Sequence, residues 1–434
     1  MPFEEHPLRS ELAAEMNARP HAVISTPAQI SHIVCVTGEE TGDADREHLR
    51  DLCRAFKVSA PSASASQFDA DFGPFRLKWE RHTEFSTYTL IKEGPFEQPF
   101  KNCPIGEVPA DWLDGLPGKV LTALHIAIET DATPERAGPE LSGLFDNNSL
   151  VGGNIVDNRA TVWTDYQIHT DGFLRFLIRD WELSASSLGR LVKRLCEMET
   201  YRMMAMLALP PARDARPVIA KLEQDLSDIL QTLAFSDGTD DEQRLLQMLS
   251  KVAAETERTS ASLNYRFSAS RAYQELVEQR AEAMRIARIV GVQPLTDYMM
   301  IRFAPAMETR DNLTRRIETL SRRVARASDL LRTRVDVALE GQNRDLLQSM
   351  DRRARLQLRL QQTVEGLSVV AISYYLLGLI GYLVKGAHAL GFSKFDYNLV
   401  LGALFVPVVL AVWWGVHHVR EAVINKPGPD DSGD

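Results

Sequence analysis

The spacing of apolar residues changes character along the chain. Between residues 28 and 180, short apolar runs alternate with turn residues. QISHIVCVT (29–37) predicts a first strand, and REHLRDLCRAF (46–56) predicts a helix after it. FRLKWERH (75–82) and EFSTYTLIK (84–92) predict the two strands of a hairpin. KVLTALHIAIE (119–129), ATVWTDYQI (160–168) and GFLRFLIRD (172–180) predict three more. Breaks fall at Gly73-Pro74, Gly94-Pro95 and Gly152-Gly153, and APSASASQ (60–67) has the composition of a loop. Strands with few helices between them imply an α+β or α/β layer domain over 1–180.

From Leu183 the period lengthens to that of helices. ELSASSLGRLVKRLCEMETYRMMAMLAL (182–209) predicts a helix stopped at Pro210-Pro211. Two more are expected near 217–234 and 241–259, with DGTDDEQ (237–243) as an acidic helix start. YRFSASRAYQELVEQRAEAMRIARIVG (265–291) predicts a fourth, and the helical region extends to 304. Met198, Met203, Met204 and Met206 are spread around the first of these helices, which suits packing better than a metal site.

A long arm is expected over 305–366, with Pro305 in its first turn. Leu313, Ile317, Leu320, Val324, Ala327 and Leu331 repeat in steps of four and three, the seam of a coiled coil. Two uncharged runs follow, 367–384 and 399–416, each 18 residues long. A membrane-spanning helix needs about 17–25 apolar residues, so a transmembrane hairpin is expected, with Pro407 kinking its second helix.

Composition changes this picture in three ways. The mean hydropathy of −0.19 is ordinary for a soluble protein, so the average hides the apolar end. The net charge of −10 argues against a general nucleic-acid binder. Cys35, Cys53, Cys103 and Cys196 form no CxxC pair, which fits a reducing compartment and leaves a zinc ribbon unsupported.

The N-terminal stretch MPFEEHPLRSELAAEMNARP has no basic-then-apolar signal pattern, so the bulk of the chain is expected in the cytoplasm. Arg352, Arg353, Arg355 and Arg359 precede the first run. Lys385 and Lys394 lie in the connecting loop, and Arg420 and Lys426 follow the second run. Positive-inside bias then places the N-terminal bulk and the tail 417–434 in the cytoplasm. Residues 310–360 hold thirteen Arg, seven Asp or Glu and no Lys. A salt-bridged helix surface explains most of these arginines, but the four nearest the membrane are expected to touch lipid headgroups.

No P-loop, GxGxxG, HExxH or GxSxG occurs, so no catalytic constellation is found and no cofactor is implied. Two polar clusters hold candidate metal ligands. One is Glu80, His82 and Glu84, expected on one strand face, a pattern that is more often a solvent face than a ligand set. The other is Asp165, His169 and Asp171. Within the first apolar run, Ser368, Ala371, Tyr375, Gly378 and Gly381 share a helical face of small residues suited to close helix packing. Together with Glu365 they are also the candidate lining of a pore.

HPLRSEL and ARP near the start, RHTEFSTYT, ETYRMMA, YRFSASRAYQELV and QLRLQQTVEGLSVVAISYY together resemble a family of membrane-anchored bacterial proteins, domain of unknown function 3422. The likeness spans nearly the whole chain. It implies anchoring at the C-terminal end and supplies no activity. That family usually has His before ARP, where this chain has Asn17. The layout also resembles that of CorA-type magnesium transporters, but GYLVKGAHALG stands where their Gly-Met-Asn signature would be. The expectation is a multi-pass protein of the bacterial inner membrane, homo-oligomeric, acting as a scaffold or sensor that faces the cytoplasm. Its partners would be membrane lipid, further copies of itself and an unidentified cytoplasmic protein. The alternative is a CorA-like channel with its pore lined by the first membrane helix.

Overall fold

Strand β1 (Ala28–Val36) is central because both of its faces are apolar. In the computed structural model it pairs antiparallel with β4 (Phe85–Glu93) on one side and with β5 (Lys119–Thr130) on the other. The structure describes residues 5–16, 20–38, 42–235, 239–389 and 397–424. Asn17, Lys394, Lys426 and most of the loop and tail named above lie outside them.

The remaining strands are β2 (Gln67–Asp71), β3 (Arg76–Arg81), β6 (Val151–Ile155), β7 (Ala160–Thr164), β8 (Leu174–Asp180) and β9 (Gln293–Pro294). They join one mixed sheet in the order β2-β3-β4-β1-β5-β8-β7-β6-β9. The expected hairpin is present, with Arg76 opposite Ile91 and Arg81 opposite Ser86. The β5–β8 and β6–β9 pairs are parallel, and the other pairs are antiparallel.

Helices cover both faces of the sheet, which is why its strands read as nearly continuous apolar runs. Short helix α1 (Arg9–Met16) precedes the sheet. Helices α2 (Gly42–Phe56) and α3 (Ala110–Asp114) bring Leu49, Leu52 and Trp112 onto Ile33, Leu77, Trp79 and Tyr88. Between the strands of the far half lies α4 (Gly138–Gly143). On the opposite face, α5 (Ala185–Met206) packs Leu188, Leu191 and Leu195 against Ile30, Val34 and Ile126. Val277 of α7 (Thr239–Ala283) and Leu295, Met299 and Phe303 of α8 (Leu295–Ala389) complete that layer. Helix α6 (Leu209–Phe235) joins α7 and α8 in a bundle, where Arg316 pairs with Glu223 at 2.7 Å.

Several expectations are corrected. Gly152-Gly153 is not a break but the middle of β6. A Cβ at Gly152 would lie 2.6 Å from the Val162 carbonyl oxygen, so only glycine fits that close strand. The loop 60–67 ends by entering β2, and the strand expected at 160–168 stops at Thr164. Pro210-Pro211 open α6 instead of closing α5, and Pro217 lies inside α6. The helices expected at 241–259 and 265–291 are one helix, α7. Thr256 and Thr259 lie inside it, with their hydroxyls donating to the Val252 and Glu255 carbonyls at 2.7 and 2.8 Å. Pro305 lies inside α8, which begins at Leu295 because buried Leu295, Met299 and Phe303 hold its first turns. The seam from Leu313 to Leu331 is buried within the chain itself, where Ile317 shares a cavity with Leu263 and Phe267 of α7.

The chain forms two compact units, residues 1–237 with 244–329, and 238–243 with 330–434. In the second, α9 (Tyr397–Ile424) lies beside the end of α8. Glu365, Gly366 and Val369 face Trp413, Val416 and His417 there. Helices α8 and α9 are each long and apolar enough to cross a membrane, and their apolar windows are only 11% and 6% buried.

Candidate functional site

Alternation along the strands sends His32 of β1, Lys78 and Glu80 of β3, and Thr87 and Thr89 of β4 to the face beneath α5. There they meet Val192, Lys193, Cys196, Glu197 and Thr200, and the cleft between them leaves about 50 Å³ open to water. Its roof is the segment Pro20–Ser25. The Lys78 ammonium donates to the Pro20 carbonyl, the Ile24 amide donates to the Ala185 carbonyl at 3.2 Å, and His21 Nε2 lies 2.8 Å from Ser186 Oγ. Gly189 permits this crossing, because a Cβ there would overlap the Ala22 carbonyl.

Charges alternate across the cleft. Lys78 Nζ is 2.8 Å from Glu80, Glu80 is 3.8 Å from Lys193, Lys193 is 3.7 Å from Glu197, and Arg280 of α7 donates to Glu197 at 2.5 Å. Burial raises the Glu80 pKa, but Lys78 and Lys193 outweigh it and hold the carboxyl below its ordinary value.

His32 is buried at the floor. Thr200 Oγ1 donates to the Cys196 carbonyl at 2.7 Å, so it accepts from His32 Nε2 at 3.5 Å. Nδ1 then accepts from Thr89 Oγ1 at 2.8 Å. Burial pushes the imidazole down to about 4, so it is neutral at pH 7. Burial also pushes the Cys196 thiol far up, which leaves no thiolate nucleophile beside it.

The first sequence cluster divides here. Glu80 and His82 line the cleft, and His82 stacks on Phe85 at 4.3 Å. Glu84 lies beyond the end of β3, buried, and accepts from Tyr265 Oη at 2.8 Å and Arg266 Nη2 at 2.7 Å. The three do not share a strand face, and Glu84 is not a solvent-face residue.

The second cluster also divides. His169 Nδ1 lies 2.8 Å from Asp146 Oδ2, and its Nε2 lies 3.1 Å from Asp165 Oδ2. Asp171 turns away to Arg175 at 3.3 Å and to the Phe173 amide at 3.0 Å. Among the described residues no group of three or more His, Cys, Asp or Glu is placed to hold a metal ion.

Arg352, Arg353, Arg355 and Arg359 are exposed, with Arg355 paired to Asp351 at 2.7 Å. Ala371, Tyr375 and Gly378 are exposed, Gly381 is buried, and Ser368 Oγ donates to the Val364 carbonyl at 2.8 Å. Sequence reasoning missed His32, Lys78 and Lys193. The available signal was that Lys78 sits two residues before Glu80, and His32 midway between Ile30 and Val34, each on a shared strand face.

A family model described as protein of unknown function, DUF3422, matches residues 4–423. The chain belongs to that family. No curated protein and no solved structure matches it. Two of the stretches that carry the DUF3422 resemblance line the cleft, and a third holds Glu84. RHTEFSTYT supplies His82, Thr87 and Thr89, and ETYRMMA supplies Thr200 and Tyr201. YRFSASRAYQELV supplies the Tyr265 and Arg266 partners of Glu84.

Proposed function

We propose that this DUF3422 protein is a homo-oligomeric scaffold or sensor anchored in the bacterial inner membrane, with its sheet unit in the cytoplasm. The observation that carries the reading is the dual membership of α8. The same helix supplies Leu295, Met299 and Phe303 to the sheet unit's core and the uncharged run 367–384 to the hairpin. Leu367, Val370, Leu379 and Leu383 are each more than 60% exposed within the chain, a state that hydrocarbon favours and water does not. The cleft under α5 is the place where a cytoplasmic ligand or protein would be read.

Alkaline carbonate extraction tests the anchor, and trypsin applied to sealed inverted vesicles tests the orientation. Retention in the pellet with digestion of the sheet unit is expected. Release by carbonate would end the membrane reading, and full protection in inverted vesicles would reverse the topology. A CorA-like pore is the second reading, favoured by the direct run of α8 from the sheet unit into the apolar segment. Ion flux in proteoliposomes separates the two.

A further inference from the structure

The roof segment Pro20–Ser25 is held as a bound peptide would be. Its side chains alternate. Ala22 and Ile24 line the cleft and are 7% and 1% exposed, whereas Val23 between them is 54% exposed. Its main chain is read in both polarities. The Lys78 ammonium donates to the Pro20 carbonyl, and Arg76 Nη1 donates to the Val23 carbonyl at 3.5 Å. The Ala185 carbonyl and Glu93 Oε1 accept from the Ile24 and Ser25 amides at 3.2 and 2.9 Å. These four partners come from β3, β4 and the start of α5. The α5 wall is shaped to a backbone lying on it, since a Cβ at Gly189 would overlap the Ala22 carbonyl. With the segment in place only about 50 Å³ stays open, room for a few waters and not for a ligand beside them. A ligand enters the cleft only by replacing the segment.

We propose that the cleft is a peptide groove, filled at rest by the chain's own residues 20–25. In exchange it takes an extended segment of a cytoplasmic partner, with a small residue and, two positions on, an aliphatic one. The proposal deepens the reading of the cleft given above and rests on it. The chemistry of the groove selects this occupant. Two donors aimed at carbonyls and two acceptors aimed at amides, spaced along an extended chain, match a polypeptide. A nucleic acid or a phospholipid headgroup has no run of amides and carbonyls to offer them. Main-chain hydrogen bonds supply the affinity of such grooves, and pockets for alternate side chains supply the specificity. The resident segment enters β1 at Ala28, so it holds the groove with the advantage of a tether. A partner therefore competes best where the resident segment is weakened.

Fluorescence anisotropy of a labelled peptide with the sequence of residues 20–27, PHAVISTP, tests this on the full-length chain in detergent. The control peptide carries Ala22→Asp and Ile24→Asp. Apparent affinity scales with the fraction of chains whose groove is vacant. In the chain, Ile24→Val trims one methyl and should raise the affinity for PHAVISTP about threefold, and Ile24→Ser should raise it at least about tenfold. The control peptide should gain in neither. An affinity that stays flat from the parent through both variants, or a control peptide that gains equally, would overturn the proposal. Ile24→Val keeps an aliphatic side chain in the core, so the comparison stands even where Ile24→Ser does not fold. Exchange of residues 20–25 between differently labelled copies, with no peptide bound, would make a second copy the occupant and overturn it as well. Release of the chain by carbonate with peptide binding intact would instead refute the anchor and leave the groove standing.

Discussion

Gly189→Ala gives a test whose sign is set by one crossing. In an exposed helix, alanine is favoured over glycine by about 0.8–1 kcal/mol. At position 189 the added methyl overlaps the Ala22 carbonyl, so the roof of the cleft must lift. Lifting it exposes Ile24, now 1% exposed, and forfeits the Lys78 bond to Pro20 and the Ile24 amide bond to Ala185. Burying an isoleucine contributes about 1.5–3 kcal/mol, and a net hydrogen bond about 0.5–1.5 kcal/mol. The loss therefore exceeds the helix gain, and a net destabilisation of about 1.5–5 kcal/mol is expected. Gly341→Ala, with open space around it, should instead stabilise its helix. A urea titration followed by tryptophan fluorescence reads the sheet unit through buried Trp79 and Trp112. Limited proteolysis near residue 20 reads the roof. If Gly189→Ala is as stable as the parent and its N-terminal segment equally protected, the crossing described here is wrong.

Three further outcomes are expected. His32 and His125 are both held down to about 4 by burial, so the unfolded chain binds protons near pH 6.5 that the folded chain refuses. Stability should be full above pH 6.5 and fall as pH drops toward 4, by about 3 kcal/mol per histidine; melting of His32→Gln should show a shallower fall. Glu84→Gln leaves Arg266 short of its buried carboxylate and should cost about 1.5–3 kcal/mol in a denaturant titration, the range for hydrogen bonds to charged groups. Gln29→Ala removes the side-chain amide that donates to the Pro99 carbonyl at 2.9 Å and the Lys101 carbonyl at 3.0 Å, and should cost about 1–3 kcal/mol in the same titration.

The sequence made the strands of the first unit legible where both faces are apolar, as in β1, β4 and β5, because continuous apolar runs need no partner to be recognised. It concealed β6, since paired glycines look like a turn until the tight approach of Val162 is known. Helix starts were misplaced at Pro305 and Pro217, where tertiary burial overrides a local penalty of about 3 kcal/mol. Glu80 and His82 were found as polar residues of interest, but their surroundings were not, because Lys193 and Thr200 reach them from α5, more than a hundred residues away. The periodic residues from Leu313 to Leu331 are buried, so the spacing located a packing face. Whether it joins one chain or two depends on where α6 and α7 end, and periodicity carries no such information.

The row of alternating charges from Lys78 to Arg280 has a consequence for how this chain can change over time. Each interior member neutralises two neighbours, so replacing one leaves two like charges facing each other in a poorly hydrated cleft. Lys193→Met would leave Glu80 and Glu197 without the cation between them. Drift at any one position is therefore conditional on the others, and the row should be inherited or lost as a block. Strand β3, helix α5 and helix α7 would then be bound into a single evolutionary unit, although they lie far apart in the chain.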